Sequence, residues 1–224
     1  MFQAAVILRV TDNIGASGYN MTFVLIHEEG EWNFGNIQTA ALSADGEYIL
    51  AGRYGSSVNN KIYFFKVDSN VPLWNYETGS GDTLRHAAIS ANGSYGIVAS
   101  NQKAYFFDLA SGDEEPLWEW GGSNRWIRHV AISPDGEYAT LVYDGYLRVF
   151  HRSSNDLLWT GSNYLGYGVI PFFTLGGKYI AVIDYQNNYL YYYETTTGSQ
   201  LFSLNTGINI ESGQEYEKMA MSRD

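Results

Sequence analysis

The 224-residue chain contains no cysteine. That excludes disulfides, thiolate metal sites and thiol nucleophiles together, and leaves the redox compartment open. Proline is scarce, at four residues. Positive charge is outnumbered, with 13 Lys and Arg against 24 Asp and Glu, a formal net charge of −11 and a pI near 4.7. A nucleic-acid partner is excluded on that ground, because a phosphate backbone demands a basic footprint. Adsorption to an anionic membrane surface is opposed for the same reason. No apolar run approaches the roughly 18 residues that a membrane-spanning helix needs. The opening MFQAAVILRV lacks a basic n-region and a cleavage site and runs straight into polar TDN, so it reads as a strand, not a signal peptide. The expectation is a chain without signal or transmembrane segment whose localisation stays open.

What is present is aromatic. Hydrophobic residues make up 45% and aromatic residues 16% of the chain, with 19 Tyr, 11 Phe and 6 Trp. Such side chains fit a pleated, half-buried surface, and 24 glycines suit many tight turns. No stretch sustains a helical period, and short apolar or alternating runs lie between turn signals, which points to an all-β chain.

One phrase recurs. It reads AALSADGEY at residues 40–48, AAISANGSY at 87–95, VAISPDGEY at 130–138 and, more loosely, FFTLGGKYI at 172–180. The turn residue stands at Asp45, Asn92, Asp135 and Gly176, and the chain stops at Asp224 in a fifth copy, MAMSRD. The intervals are 47, 43, 41 and 48 residues. A second landmark follows each turn: Trp74 in PLWNYE, Trp118 in PLWEWG, Trp159 in DLLWTG and Phe202 in SQLFSL. Between them lies an aromatic strand: KIYFFKV, KAYFFDL, YLRVFHR or YLYYYET. Four short strands per 41–48 residues is the period of a propeller blade.

The N-terminal segment holds the last three strands of such a unit, FQAAVILRV, MTFVLIH and GEWNFG with Trp32. The C-terminal YEKMAMSRD holds a first strand without successor. Counted through Met1, the interval from Asp224 to the first turn is 45 residues, which completes five repeats. The expectation is therefore a single all-β domain, a five-bladed β-propeller with four-stranded antiparallel blades. Its blades fall at about 217–224 with 1–36, 37–83, 84–126, 127–167 and 168–216, the first closed by both termini together. Closure removes an unpaired sheet edge. A monomer is expected over a strand-swapped oligomer, which would satisfy the same edges.

The string AISPDGEYATLVYDGYLRVF (131–150) resembles the WD-repeat-like and quinoprotein-like β-propeller superfamily. The resemblance implies a scaffold or partner-binding role, with enzymes a minority. The Trp-Asp dipeptide is missing, its place taken by FKV, FDL and FHR, and so is the opening Gly-His. The WD family's internal hydrogen-bonded tetrad is therefore not carried over.

Several residue sets are candidates for a role. Asp45-Gly46, Asn92-Gly93, Asp135-Gly136 and Gly176-Gly177 are read as structural turns, two-residue hairpins tolerant of positive φ. No D-x-D-x-D-G calcium string exists. Trp32, Trp74, Trp118, Trp159 and Phe202 share one phase and are expected to pack blade against blade; an exposed ring of them could instead bind sugars. Arg85-His86 and Arg128-His129 repeat in the first strands LRHAAIS and IRHVAIS, with Arg125 and Trp126 just before the second pair. First strands line a propeller's central channel. The functional reading is a small anion or partner site at one channel mouth, with Arg clamping a carboxylate or phosphate. Pairing of each His and Arg within the fold is the competing reading. His27 and His151 lie out of phase, and no metal site or cofactor is expected. The acidic SGDEEP (111–116) reads as a solvated loop.

A five-bladed glycoside-hydrolase-type enzyme would need two carboxylates across the scissile bond. The five first strands offer only Glu217. No G-x-S-x-G elbow is present, and GSGDTL (79–84) is too short a glycine motif for nucleotide binding. The reading is a non-catalytic binding or scaffold module with no catalytic residues, its protein or small-molecule partner unknown. The alternatives are the hydrolase and an engineered or excised propeller with no independent function.

Overall fold

A computed structural model describes residues 36–54, 60–69, 71–79, 83–122, 126–166 and 168–207. They form sixteen strands and, among the described residues, no helix. Sheet 1 comprises β1 (Asn36–Leu42), β2 (Tyr48–Tyr54), β3 (Lys61–Lys66) and β4 (Trp74–Glu77). Sheet 2 comprises β5 (Leu84–Ile89), β6 (Tyr95–Ser100), β7 (Lys103–Asp108) and β8 (Trp118–Gly121). Sheet 3 comprises β9 (Ile127–Ile132), β10 (Tyr138–Tyr143), β11 (Tyr146–His151) and β12 (Leu157–Thr160). Sheet 4 comprises β13 (Val169–Phe173), β14 (Tyr179–Asp184), β15 (Tyr189–Glu194) and β16 (Gln200–Asn205).

Each sheet is an antiparallel meander in sequence order. The first strands face one another in turn, β1 on β5, β5 on β9 and β9 on β13, which gives a propeller-like arrangement with these four strands innermost. The four complete repeats therefore map onto the four sheets. The expected blade of 217–224 with 1–36, Trp32 included, lies outside the described residues apart from Asn36.

The turn between first and second strands differs from the expected two-residue hairpin. It is a four-residue loop, closed by Ser43 N–H donating to Tyr48 O (2.9 Å) and Gly46 N–H to Ser43 O (2.9 Å). The reason is side-chain chemistry. Ser43 Oγ donates to Asp45 Oδ1 (2.5 Å) and accepts from Tyr48 N–H (2.9 Å), while Asp45 Oδ1 accepts from Glu47 N–H (3.0 Å). Ser90 with Asn92 and Ser133 with Asp135 repeat the pattern. These side chains satisfy loop amides that would otherwise lack partners. A two-residue hairpin is found at Asp144-Gly145, where both φ are positive (54° and 78°).

The turns also lock onto one another. Ala44 N–H donates to Ala91 O, and Ala91 N–H to Pro134 O, both at 2.9 Å. Gly93 and Gly136 (φ +73° each) lie against the rings of Tyr48 and Tyr95 from the preceding sheet, where an added Cβ would sit 2.5 and 2.4 Å from ring carbons. The tryptophan landmarks fill the junctions as expected. Trp74 meets Phe107 (ring centroids 5.2 Å), Trp118 meets Phe150 (5.4 Å) and Trp159 meets Tyr193 (5.7 Å), each on the next sheet. Trp118 Nε1 donates to Arg152 O (3.0 Å) and Trp159 Nε1 to Thr195 O (2.6 Å). Trp74 Nε1 is buried with no acceptor among the described residues. Phe202 departs from the pattern: it stacks on Tyr192 of its own sheet (5.1 Å) and is 48% exposed, because no described sheet follows β16. Among the described residues no helix is long and apolar enough to cross a membrane.

Candidate functional site

Three of the four inner strands carry the same irregularity near their N-terminal ends. Ile37 pairs with Arg53 and Thr39 with Gly52, leaving Gln38 as an extra residue. Leu84 pairs with Ser100 and His86 with Ala99, which leaves Arg85 extra. Ile127 pairs with Tyr143 and His129 with Val142, which leaves Arg128 extra. A β-bulge of this kind re-aims a side chain and is favoured beside binding sites. Here it presents Gln38, Arg85 and Arg128 from three consecutive strands at one rim. Gln38 and Arg85 are exposed and Arg128 half-buried. Strand β13 pairs in unbroken register with β14 and carries Ile170 and Pro171 instead, so the arc is one-sided, as the unequal first strands imply.

The sequence-predicted residues converge. The rings of His86 and His129 lie 4.5 Å apart, inclined at 37°. The Arg128 guanidinium covers the ring of Trp126 at 4.8 Å, and Trp126 itself is 48% exposed. Arg85 Nε donates to the neutral Asn101 Oδ1 at 2.5 Å, beside the β6–β7 turn. Arg125 lies outside the described residues. A residue that sequence reading missed is Arg53, at the same end of β2, whose buried Nε has no hydrogen-bond partner among the described residues. Its only sequence signal is its place in the AGRYGSSVNN run, which marks no chemistry.

Arg85 and Arg128 stand side by side at this rim on strands that carry no carboxylate. The strands packed on β5 and β9 are β1, β2, β6, β10 and β13, and none of these seven strands contains Asp or Glu. At the same ends of the third strands β3 and β7, Lys61 pairs with Glu77 (2.6 Å) and Lys103 with Glu119 (3.0 Å). The histidines respond to this field. Burial pushes His86 well below the ordinary imidazole range, with His129, Arg85 and Arg128 adding repulsion. Burial lowers His129 to about 4. Both rings are half-buried by exposure, with the crowding of their neighbours removing most of their solvation. At neutral pH both are uncharged, so the arginines alone supply the positive charge.

A second concavity, a shallow cleft of about 370 Å³, lies between sheets 2 and 3 and is lined by Glu119, Trp120, Gly121, Tyr143 and Asn155. Trp120 and Tyr143 meet edge to face there (4.9 Å, 81°), and Arg148 lies over both rings at 5.6 and 5.2 Å. These contacts serve the junction between the sheets. The SGDEEP loop is exposed from Ser111 to Glu115 and held by its own turns, Asp108 Oδ1 accepting from Ala110 and Ser111 N–H (3.1 Å each). No protein-family model matches the chain, and no curated protein matches it.

Proposed function

We propose that the protein is a non-catalytic binding module that takes an anionic group, on a small ligand or a protein partner, at the rim formed by Arg85, His86, Arg128, His129 and Trp126. The observation that carries this reading is the triple bulge. Three neighbouring strands each insert one extra residue at the same level, two of them arginines, in a neighbourhood of seven strands without a carboxylate. Concentrating arginine there in a protein of net charge −11 makes sense as a complement to negative charge brought from outside. A hydrolase of two carboxylates finds no support on the same strands, which is why a binding role is preferred to a catalytic one.

The test is calorimetric titration of the full chain with sodium sulfate at low ionic strength. Saturable one-to-one binding, weakened at least tenfold in Arg85→Gln/Arg128→Gln, is expected; sulfate heats indistinguishable from those of chloride would end the proposal.

The finer architecture belongs to the same proposal. The strand-like runs FQAAVILRV, MTFVLIH and GEWNFG, joined to YEKMAMS, supply a fifth blade that closes the ring within one molecule. What supports it is the exposed pair Phe202 and Leu204 on β16. They stand where Trp74 with Tyr76 and Trp118 with Trp120 stand on sheets whose outer strands are covered. Light scattering should give a monomer at full length, and removal of residues 212–224 should cause unfolding or aggregation. A well-folded monomer after that truncation would rule out closure by the C-terminal strand.

A further inference from the structure

Of the three turns bridged by Ser with Asp or Asn, the one between β5 and β6 alone has a side-chain amide at the bridging place. That residue is Asn92, and Gly93 follows it, the chain's single Asn-Gly pair. Glycine has no side chain to block an approach to its own nitrogen. The Gly93 amide nitrogen can therefore attack the Asn92 side-chain carbonyl carbon, and water alone then converts the amide to an acid. Asn92 is exposed, so water reaches it. In the closed turn both reacting groups are held by other bonds. Gly93 N–H donates to Ser90 O (3.0 Å). Asn92 Oδ1 accepts from Ser94 N–H and from the Ser90 hydroxyl, both at 3.1 Å. The residue before them is pinned as well, Ala91 N–H donating to Pro134 O and Ala91 O accepting from Ala44 N–H, each at 2.9 Å. Gly93 itself lies against the Tyr48 ring with no space for even a Cβ.

We propose that Asn92 is a deamidation site which the closed turn keeps silent and which opening of the junction between sheets 1 and 2 releases. Ring closure joins Gly93 N to Asn92 Cγ. It requires the Asn92 side chain to leave both of its hydrogen bonds and the Gly93 amide to rotate away from Ser90 O. Gly93 N gives its proton to base in the solvent and forms the N–Cγ bond. The bond from Cγ to the side-chain nitrogen breaks, and ammonia leaves after taking a proton from water. Water then opens the resulting succinimide at one of its two carbonyl carbons, and no oxidant or further reactant is needed. Opening at Cγ gives aspartate; opening at the backbone carbon gives isoaspartate, whose main chain is longer by a methylene. The two products differ in fit. Aspartate takes the place that Asp45 and Asp135 hold in the neighbouring turns, where the carboxylate accepts from the Ser hydroxyl and from the amide two residues on. Isoaspartate displaces Gly93, which has no room to move against Tyr48. A turn that has opened can thus reclose on one product and not on the other.

The test incubates the full chain in mildly alkaline buffer, folded and in urea, and follows the peptide spanning Asn92 by mass spectrometry for the change from amide to acid. The folded chain should react at least about tenfold more slowly, because the chemistry then waits on local opening. Rates equal within about twofold overturn the proposal, and this comparison needs no variant. Two variants separate opening of this turn from unfolding of the whole chain. Ser90→Ala removes a donor to Asn92 and the acceptor of Tyr95 N–H. It should speed the folded reaction by about threefold or more and leave the rate in urea unchanged. Thr174→Ala loosens the turn of sheet 4, which no backbone hydrogen bond among the described residues ties to the turn of Asn92, and should leave the rate at Asn92 unchanged. Equal acceleration by both variants overturns control by this turn and assigns the reaction to global unfolding.

Discussion

The first three sheets and the fourth follow one strand plan and diverge at three places: the inner strand, the turn bridge and the outer strand. The inner strands of sheets 1 to 3 are bulged, at Gln38, Arg85 and Arg128, while β13 runs regularly through Ile170 and Pro171. The turns of sheets 1 to 3 are bridged by a Ser with Asp or Asn. The fourth has Gly176 at the bridging place and retains only Thr174, whose Oγ1 accepts from Tyr179 N–H at 3.1 Å. The outer strands of sheets 1 to 3 pack a Trp against the next sheet, and the fourth exposes Phe202. Since β13–β16 still pair in order, neither the bulge nor the Asp bridge is needed to build a sheet. The charged arc is thus an addition to the fold and not a condition of it.

The largest contrast lies at the outer strands. Trp118→Ala should cost about 3–5 kcal/mol in urea unfolding, as expected when a buried aromatic is removed. Its indole is also a hydrogen-bond donor to Arg152 O. If a fifth blade covers β16, Phe202→Ala should cost about 2 kcal/mol; a loss under about 0.5 kcal/mol, normal for an exposed side chain, would count against closure.

The turns come next. Gly136→Ala combines a φ of +73° with a Cβ 2.4 Å from the Tyr95 ring and should cost about 2–4 kcal/mol. Gly176→Ala meets nothing within 4 Å and should stay within about 0.5 kcal/mol of wild type. Equal losses at both sites would break the comparison.

The inner strands are distinguished by acid. In the unfolded chain a histidine binds its proton near pH 6.5, whereas burial in the folded chain holds His129 down to about 4 and His86 well below the ordinary range. Between those values the unfolded state holds more protons, so stability is fully present above pH 6.5 and is lost as pH falls. The slope approaches roughly 1.4 kcal/mol per pH unit for each histidine. Urea midpoints at pH 7, 6 and 5 should show it, and His129→Ile, which installs the residue that sheet 4 carries at Ile170, should flatten it. The smallest effect is expected at the bridging serine: Ser133→Ala leaves Tyr138 N–H without its acceptor and should cost about 1–2 kcal/mol, against about 1 for Thr174→Ala.

Much of this was legible in the sequence because it is carried by residue type at fixed spacing. The Ser-x-Asp-Gly phrase, the aromatic strand and the Trp landmark placed the sixteen described strands in four sheets, and the Arg-His repeat lies on the adjacent strands whose His86 and His129 rings are 4.5 Å apart. The bulges were not legible. A strand read by alternation has no mark for a skipped pairing, since the extra residue at Arg85 depends on how β6 lies against β5. The turn type was misjudged for a related reason: Asp-Gly permits a two-residue hairpin, and the preceding Ser selects the longer loop by bonding across it. Arg53 gave no signal because its place at the rim depends on how β2 lies against β1, which its neighbours in sequence do not fix.

Pro134 gives the row of linked turns a direction and an end. Ala44 donates to Ala91 and Ala91 donates to Pro134, but Pro134 has no amide proton to pass the link onward to the fourth turn. Under tension, or in slow opening in water, the boundary between sheets 3 and 4 is therefore the seam that parts first. The amides of Ala44 and Ala91 should then stay shielded from deuterium after sheet 4 has peeled away. One ring carbon in the backbone thus sets the order in which the arc comes apart.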